Sequence, residues 1–471
     1  MKSRRAFHLA LALVAAVFLT SSSASPAGPT FLVRRCDESI AGPRVTCGSV
    51  AVPENRAAPG GRAISINVVV IHPAKAATRP PMYHLEGGPG VGATPIAPFF
   101  AGPGAAYGES REIVLIDQRG TAGSAPLHCP GEQRPVWADE FDPAVVDTCR
   151  RALEQHADLT QYSTENAAAD VDDVRAALGH QQIDISGLSY GTELAQAYMK
   201  RFASRVHAAM LVGFVPLDLR QPLFHANNAQ RVLDLLFYEC ARDMACNQKY
   251  PRLRDEWTAV LHRFDAGAVK VTANGKTIEL RRGPFGELVR NMLGAASGQR
   301  SIPSLIHAAA GGDLTVFVST DAGASARVAE GLYLSVVCSE AQPRIPDDIA
   351  PFTSGTFLGS YRVDQERAAC AHWPRHPVAG SFYDPPSDSG IPMLVLSGSM
   401  DHVATPDWGW EFCRTMKRCT FASIPEMGHG PFDLDRWTEG ECFDRVAVEF
   451  LSGAAQPDLS CIRRMRPPAF K

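Results

Sequence analysis

Residues 182–202 read QIDISGLSYGTELAQAYMKRF, and the reading of this stretch decides the fold. Gln182 to Ser186 is short, apolar and β-branched, which predicts a strand. Thr192 to Phe202 is rich in alanine and predicts a helix. Between them lies Gly187-Leu188-Ser189-Tyr190-Gly191, a GxSxG pentapeptide. Such a pentapeptide arises by chance in roughly one chain of this length in five, so its context carries the argument. Here it sits where strand passes to helix. Two glycines permit the tight turn that lifts a serine hydroxyl above a sheet edge. The following helix aims its positive end at that point.

Working outward, the strand–helix alternation continues on both sides. Ile64 to His72, Met82 to Leu85 and Glu112 to Ile116 read as strands, and Glu165 to Leu178 as a helix stopped by Gly179. Ala208 to Val212 adds another strand. From about Leu217 to Asp384 the pattern changes: helical segments such as Ala229–Cys240 and Leu253–Phe264 dominate, with one strand-like patch at Val269 to Leu280. The alternation resumes with a strand at Pro392 to Leu396, a helix from Asp407 to Met416 and a strand at Phe421 to Ile424. This order predicts an α/β chain with a mostly parallel central sheet, helices on both faces and a mainly helical insert. The division is residues 1–24, 25–216, 217–384 and 385–471.

A serine hydroxyl is a poor nucleophile until a neighbouring base takes its proton. An acid and a base are expected to follow Ser189, in loops at the C-terminal ends of strands. Asp401, in Ser397-Gly398-Ser399-Met400-Asp401, and His429, in Gly428-His429-Gly430, meet that expectation. His402 competes as base, but its adjacency to Asp401 leaves it badly placed to bridge acid and serine. Developing negative charge on a carbonyl oxygen needs two fixed N–H donors. Tyr190, directly after the serine, is one. The loop Glu86-Gly87-Gly88-Pro89-Gly90 offers the other: Pro89 has no N–H, so Gly88 is the first choice and Gly87 the second. Gly88, Gly90 and Ala93 also fit GxGxxA, but Pro89 within the turn and the missing downstream acidic residue argue against dinucleotide binding. Asp117 and Arg119 read as loop-tying residues rather than reacting groups.

The first 24 residues look like an export signal. Lys2, Arg4 and Arg5 precede an apolar run from Ala6 to Leu19 and a small-residue stretch with a plausible cut after Ala24. Ser3-Arg4-Arg5-Ala6-Phe7 resembles a twin-arginine signal. The run is short of the roughly 20 residues a membrane span needs, so no stable membrane insertion is expected after cleavage, and the destination is periplasmic or extracellular. The twelve cysteines agree with an oxidising compartment. They fall as neighbours: Cys36 and Cys47, Cys129 and Cys149, Cys240 and Cys246, Cys338 and Cys370, Cys413 and Cys419, Cys442 and Cys461. Short sequential loops are the simplest pairing, though spacing alone leaves other connectivities open. No CxxC or HExxH occurs, so no metal is expected. A formal net charge of −4 gives no reason to expect a nucleic-acid partner.

Gly-Gly-Pro-Gly at 87–90, Asp-Gln-Arg-Gly at 117–120 and Gly-Leu-Ser-Tyr-Gly at 187–191 resemble the proline iminopeptidase and tripeptidyl aminopeptidase branch of the α/β-hydrolases. The tail LSGSMDHVATP at 396–406, Gly428-His429-Gly430 and a last cysteine near the C-terminus are similar to the C-terminal region of the secreted tripeptidyl aminopeptidases. The resemblance implies an α/β-hydrolase fold with a helical cap, a Ser189–His429–Asp401 triad, no cofactor, and cleavage of a short N-terminal piece, prolyl or tripeptidyl, from a peptide. An enzyme of that kind must hold a free α-ammonium with a desolvated carboxylate. Glu86 and Glu340 are the candidates. A carboxylesterase or lactonase on the same scaffold is the alternative, since it would use the same triad without amine recognition. A non-catalytic binding protein would have no need for all these elements in order.

Overall fold

The computed structural model describes residues 28–471 apart from 131–134, 136, 274, 319–327, 388–389 and 455. The expected export signal at 1–24 lies outside the described residues. β-Branched and aliphatic residues build a nine-stranded sheet in the order β1-β2-β3-β5-β4-β6-β7-β10-β11. Its strands are β1 (Phe31–Arg34), β2 (Val45–Pro53), β3 (Ala63–Ile71), β4 (Met82–Leu85), β5 (Ile113–Ile116), β6 (Ile183–Leu188), β7 (Val206–Val212), β10 (Met393–Gly398) and β11 (Cys419–Ile424). From β5 through β4, β6, β7 and β10 to β11 every pairing is parallel, whereas β1, β2 and β3 join antiparallel. The sheet is therefore mostly parallel, with an antiparallel wing that the sequence pattern did not resolve.

Side-chain alternation divides the core into two layers. Val114 and Ile116 of β5 pack on one face with Ala168 and Val171 of the helix Thr164–Ala177 and Leu194 and Tyr198 of the helix Tyr190–Phe202. Ile113 and Leu115 face the other way, toward Phe100 and toward Phe443, Val446 and Phe450 of the helix Cys442–Leu451. Helices cover both faces, as a buried parallel sheet requires.

Between β7 and β10 the described residues add helices and one hairpin, β8 (Val269–Ala273) with β9 (Lys276–Leu280), but no strand to the large sheet. Buried side chains from Ala226 to Leu358 form a separate apolar cluster, which Met400 joins from the resumed core. Each cysteine bonds its chain neighbour, giving Cys36–Cys47, Cys129–Cys149, Cys240–Cys246, Cys338–Cys370, Cys413–Cys419 and Cys442–Cys461. Among the described residues no helix is long and apolar enough to cross a membrane.

Candidate active site

Ser189 stands between β6 and its helix with φ 56 and ψ −126, a left-handed conformation costly for a non-glycine residue. Packing enforces it. A Cβ on Gly191 would fall 2.0 Å from the Leu85 carbonyl oxygen, and one on Gly187 would lie 2.6 Å from the Gly191 carbonyl oxygen. Only glycine fits at either place, so the GxSxG spacing is a packing requirement as well as a turn requirement. The Ser189 N–H donates to the Val212 carbonyl at 2.9 Å, tying the turn to β7.

The two other predicted residues arrive from strands two and three places along the sheet from β6. Asp401 follows β10 and is fully buried; His429 follows β11. His429 Nδ1 lies 3.0 and 2.9 Å from the two carboxylate oxygens of Asp401, and His429 Nε2 lies 2.8 Å from Ser189 Oγ. A carboxylate only accepts, so Nδ1 carries the hydrogen and Nε2 is left to accept from the serine hydroxyl. Asp401 Oδ1 also accepts from the N–H groups of Val403 and Ala404, both at 2.8 Å. His402 is buried apart from this line: its Nε2 is 3.4 Å from Arg290 Nη1, and burial, with Arg290 adding to it, pushes its pKa well down. The arrangement can move a proton from Ser189 to His429 and stabilise the resulting imidazolium.

The 86–90 loop lies directly over the serine. A Cβ on Gly87 would be 2.9 Å from Ser189 Cβ. Its N–H donates to Glu86 Oε2 at 3.1 Å, whereas neither the Gly88 nor the Tyr190 N–H bonds another described protein group. Glu86 is hydrogen-bonded through both carboxylate oxygens. Its other oxygen meets His84 Nε2 at 3.2 Å, and Gln118 Nε2 donates to its backbone carbonyl at 2.8 Å. Burial works to raise its carboxyl pKa, but the His84 hydrogen bond and charge and the Gly87 N–H together hold it low. Asp117 binds Thr94, Asn67 and Gly123, and Arg119 grips Asp170, so both tie loops together.

Glu340 stands elsewhere. It lies on a π turn, Val337–Ala341, of the kind that often marks functional sites. Its carboxylate accepts from the Thr164 N–H at 2.9 Å and from Thr164 Oγ1 at 2.6 Å, and Thr164 Oγ1 is 2.7 Å from the Tyr190 hydroxyl. A narrow cleft opens here between Pro89, Tyr190, Gln221, Glu340 and Glu193. The structure thus brings Glu340 into a cleft with Tyr190, the residue after the serine, and turns the Glu86 carboxylate to His84 and the Gly87 N–H. Glu193 is the residue that sequence reading missed, although its position one helical turn after Ser189 was a usable signal. It is half-buried, and its carboxylate makes no hydrogen bond or ion pair among the described residues. Burial first, then the charge of Glu340, pushes its carboxyl well above the usual range.

A family model described as the alpha/beta hydrolase fold matches residues 80–435. The tripeptidyl aminopeptidase of Streptomyces coelicolor is 28% identical over 207 residues, 39% of this chain and 37% of that protein. The serine protease Hip1 of Mycobacterium tuberculosis is 27% identical over 221 residues, 42% of each chain. The chain therefore spans less than half the length of these relatives. A solved proline iminopeptidase of Mycobacterium smegmatis is 18% identical with a TM-score of 0.41, covering 86% of this chain and 98% of that one. With the family model matched across most of its length, the chain belongs to the alpha/beta hydrolase fold family.

Proposed function

We propose that the chain is an exported serine exopeptidase that removes a prolyl or tripeptidyl unit from the free N-terminus of a short peptide. Ser189 attacks the scissile carbonyl while His429 takes its proton. Asp401 orients the imidazole and supports its charge. The N–H groups of Tyr190 and Gly88 receive the oxyanion, Gly87 being already engaged by Glu86. His429 then protonates the leaving amine, and water releases the acyl group. In this reading residues 1–24 direct export, 25–216 and 385–471 form the hydrolase core, and 217–384 close over it as a cap. The six disulfides and the peptidase names of the relatives support it.

One juxtaposition carries the amine specificity: two carboxylates, Glu340 and Glu193, share the cleft beside Tyr190. Neighbouring like charges in a desolvated site disfavour each other. A substrate ammonium placed between them relieves that repulsion and gains charge-assisted hydrogen bonds. An ester without an amine gains neither.

The test is a chromogenic panel given to the mature protein and to Ser189→Ala. It holds free-amine prolyl and tripeptidyl anilides, their N-blocked forms and simple acyl esters. Hydrolysis of free-amine anilides alone, abolished in the variant, is the expected result. Ester cleavage indifferent to an amine would replace the peptidase reading with a carboxylesterase.

A further inference from the structure

The turn that presents Asp401 has backbone carbonyls that the sheet does not use, and side chains from the segment between β7 and β10 take them. Asn228 and Arg231 lie three residues apart on the helix His225–Arg242, hence on one face. Arg231 Nη1 donates to the Ser399 carbonyl at 3.1 Å and Nη2 to the Asp401 carbonyl at 2.6 Å. Asn228 Nδ2 donates to the Val403 carbonyl at 2.9 Å. Three alternate carbonyls of a five-residue turn are thus held by two side chains of one helix. Inside the turn, the Asp401 carboxylate takes the Val403 and Ala404 N–H groups. The turn is pinned on both sides.

We propose that Arg231, assisted by Asn228, is a positioning residue for Asp401, so that the inserted helix is part of the catalytic machinery rather than only a cover. The inference rests on the reading of Asp401 as the acid of the triad. A guanidinium presents two parallel N–H groups in a rigid fork, which fixes two carbonyls relative to each other as an ammonium does not. The fork sets the path of the backbone at Asp401 and so the direction of a carboxylate that must meet His429 Nδ1. The same segment reaches the histidine: the His429 N–H donates to the Gly294 carbonyl at 3.0 Å. Both partners of Ser189 are therefore registered against the insert. A displacement of about 1 Å in such a constellation costs on the order of 100-fold in rate.

The experiment needs no knowledge of the substrate. The full chain, Arg231→Met, Arg231→Lys and Asn228→Ala are compared by the rate of Ser189 labelling with a fluorophosphonate, by the downfield proton resonance of His429 Nδ1–H, and by thermal melting. Expected in Arg231→Met is labelling slowed about 100-fold, with the His429 resonance shifted or lost while the protein still melts cooperatively. Arg231→Lys, which keeps the charge and loses the fork, should fall between Arg231→Met and the wild type; it carries the test should Arg231→Met fail to fold. A lowered melting temperature with labelling rate and resonance unchanged would overturn the proposal, leaving Arg231 an ordinary packing residue. Wild-type protein that resists the probe would instead overturn the triad reading, and the positioning role with it.

Discussion

His429 Nδ1 sits 2.9 Å from Asp401 Oδ2 while the other oxygen of that carboxylate is occupied by two backbone N–H groups. That carboxylate is thus oriented without any substrate. In Asp401→Asn the amide can turn an N–H toward Nδ1, which then must accept, leaving Nε2 protonated and unable to take the Ser189 proton. We expect kcat to fall on the order of 10⁴-fold with the melting temperature nearly unchanged. A loss under tenfold in steady-state assays would show that Asp401 does not set the tautomer.

Arg119 yields a prediction of the opposite kind. It is fully buried, grips Asp170 through Nε at 2.6 Å and Nη2 at 2.7 Å, and reaches the carbonyls of Glu54 and Gln161, both at 2.9 Å. Arg119→Met leaves Asp170 paired with Arg56 and takes the Arg119 donor from the Glu54 carbonyl, while the Gln161 carbonyl keeps Asn166 Nδ2. Breaking a buried pair from one side costs about 3–5 kcal/mol. Because Arg56 remains, the lower end is expected from urea melts at neutral pH. The folded fraction should retain its kcat. A kcat that collapses while stability holds would make Arg119 a participant in the chemistry.

These two residues also show what the sequence made legible. The parallel half of the sheet followed from strand–turn–helix alternation, and the strands at Met82–Leu85, Ile183–Leu188 and Met393–Gly398 lie where their patterns indicated. The antiparallel wing was less visible. Val45–Pro53 reads VTCGSVAVP, where Gly48 and a terminal proline dilute the strand signal, and its pairing with β3 is a long-range fact. Strand direction is not written in alternation at all. At the site, Ser189, Asp401 and His429 were legible because each sits in a local glycine-marked turn. Glu193, Thr164 and Arg231 were not, because a polar residue on a helix reads as a solvated face until tertiary packing brings another element against it. The two candidate amine ligands are both bound internally: His84 and the Gly87 N–H meet the Glu86 carboxylate, and Thr164 meets that of Glu340, partners that local sequence does not reveal.

The Cys338–Cys370 disulfide closes the π turn two residues before Glu340. Its removal should act on stability and on the cleft together. In the Cys338→Ser, Cys370→Ser double variant we expect a stability loss of about 2–5 kcal/mol. For free-amine substrates KM should rise more than kcat falls, because the Glu340 carboxylate loses its fixed place against Thr164 while the triad is untouched. Equal proportional losses in kcat and KM, measured well below the melting transition, would argue against a role for that turn in binding.

Glu193 supplies the last prediction, in pH. Burial and the facing charges of Glu340 and Asp218 push its carboxyl up, with Arg344 opposing them. Arg344 spends its own N–H groups on the carbonyls of Glu340, Asp218 and Leu219, and His376 Nε2 stands 3.5 Å from Glu340. Below its raised pKa Glu193 is neutral and gives a substrate ammonium nothing to pair with. Above it, the carboxylate forms and attracts that ammonium. KM for a free-amine substrate should therefore rise as pH falls through a window above the ordinary glutamate range, while KM for an N-blocked ester stays flat. Glu193→Gln should abolish this dependence and raise KM about 10–100-fold on the alkaline side of that window, where the carboxylate has formed, the worth of one charge-assisted hydrogen bond. Identical KM profiles for amine and blocked substrates would place the ammonium outside this cleft, and the peptidase reading would lose its specificity element.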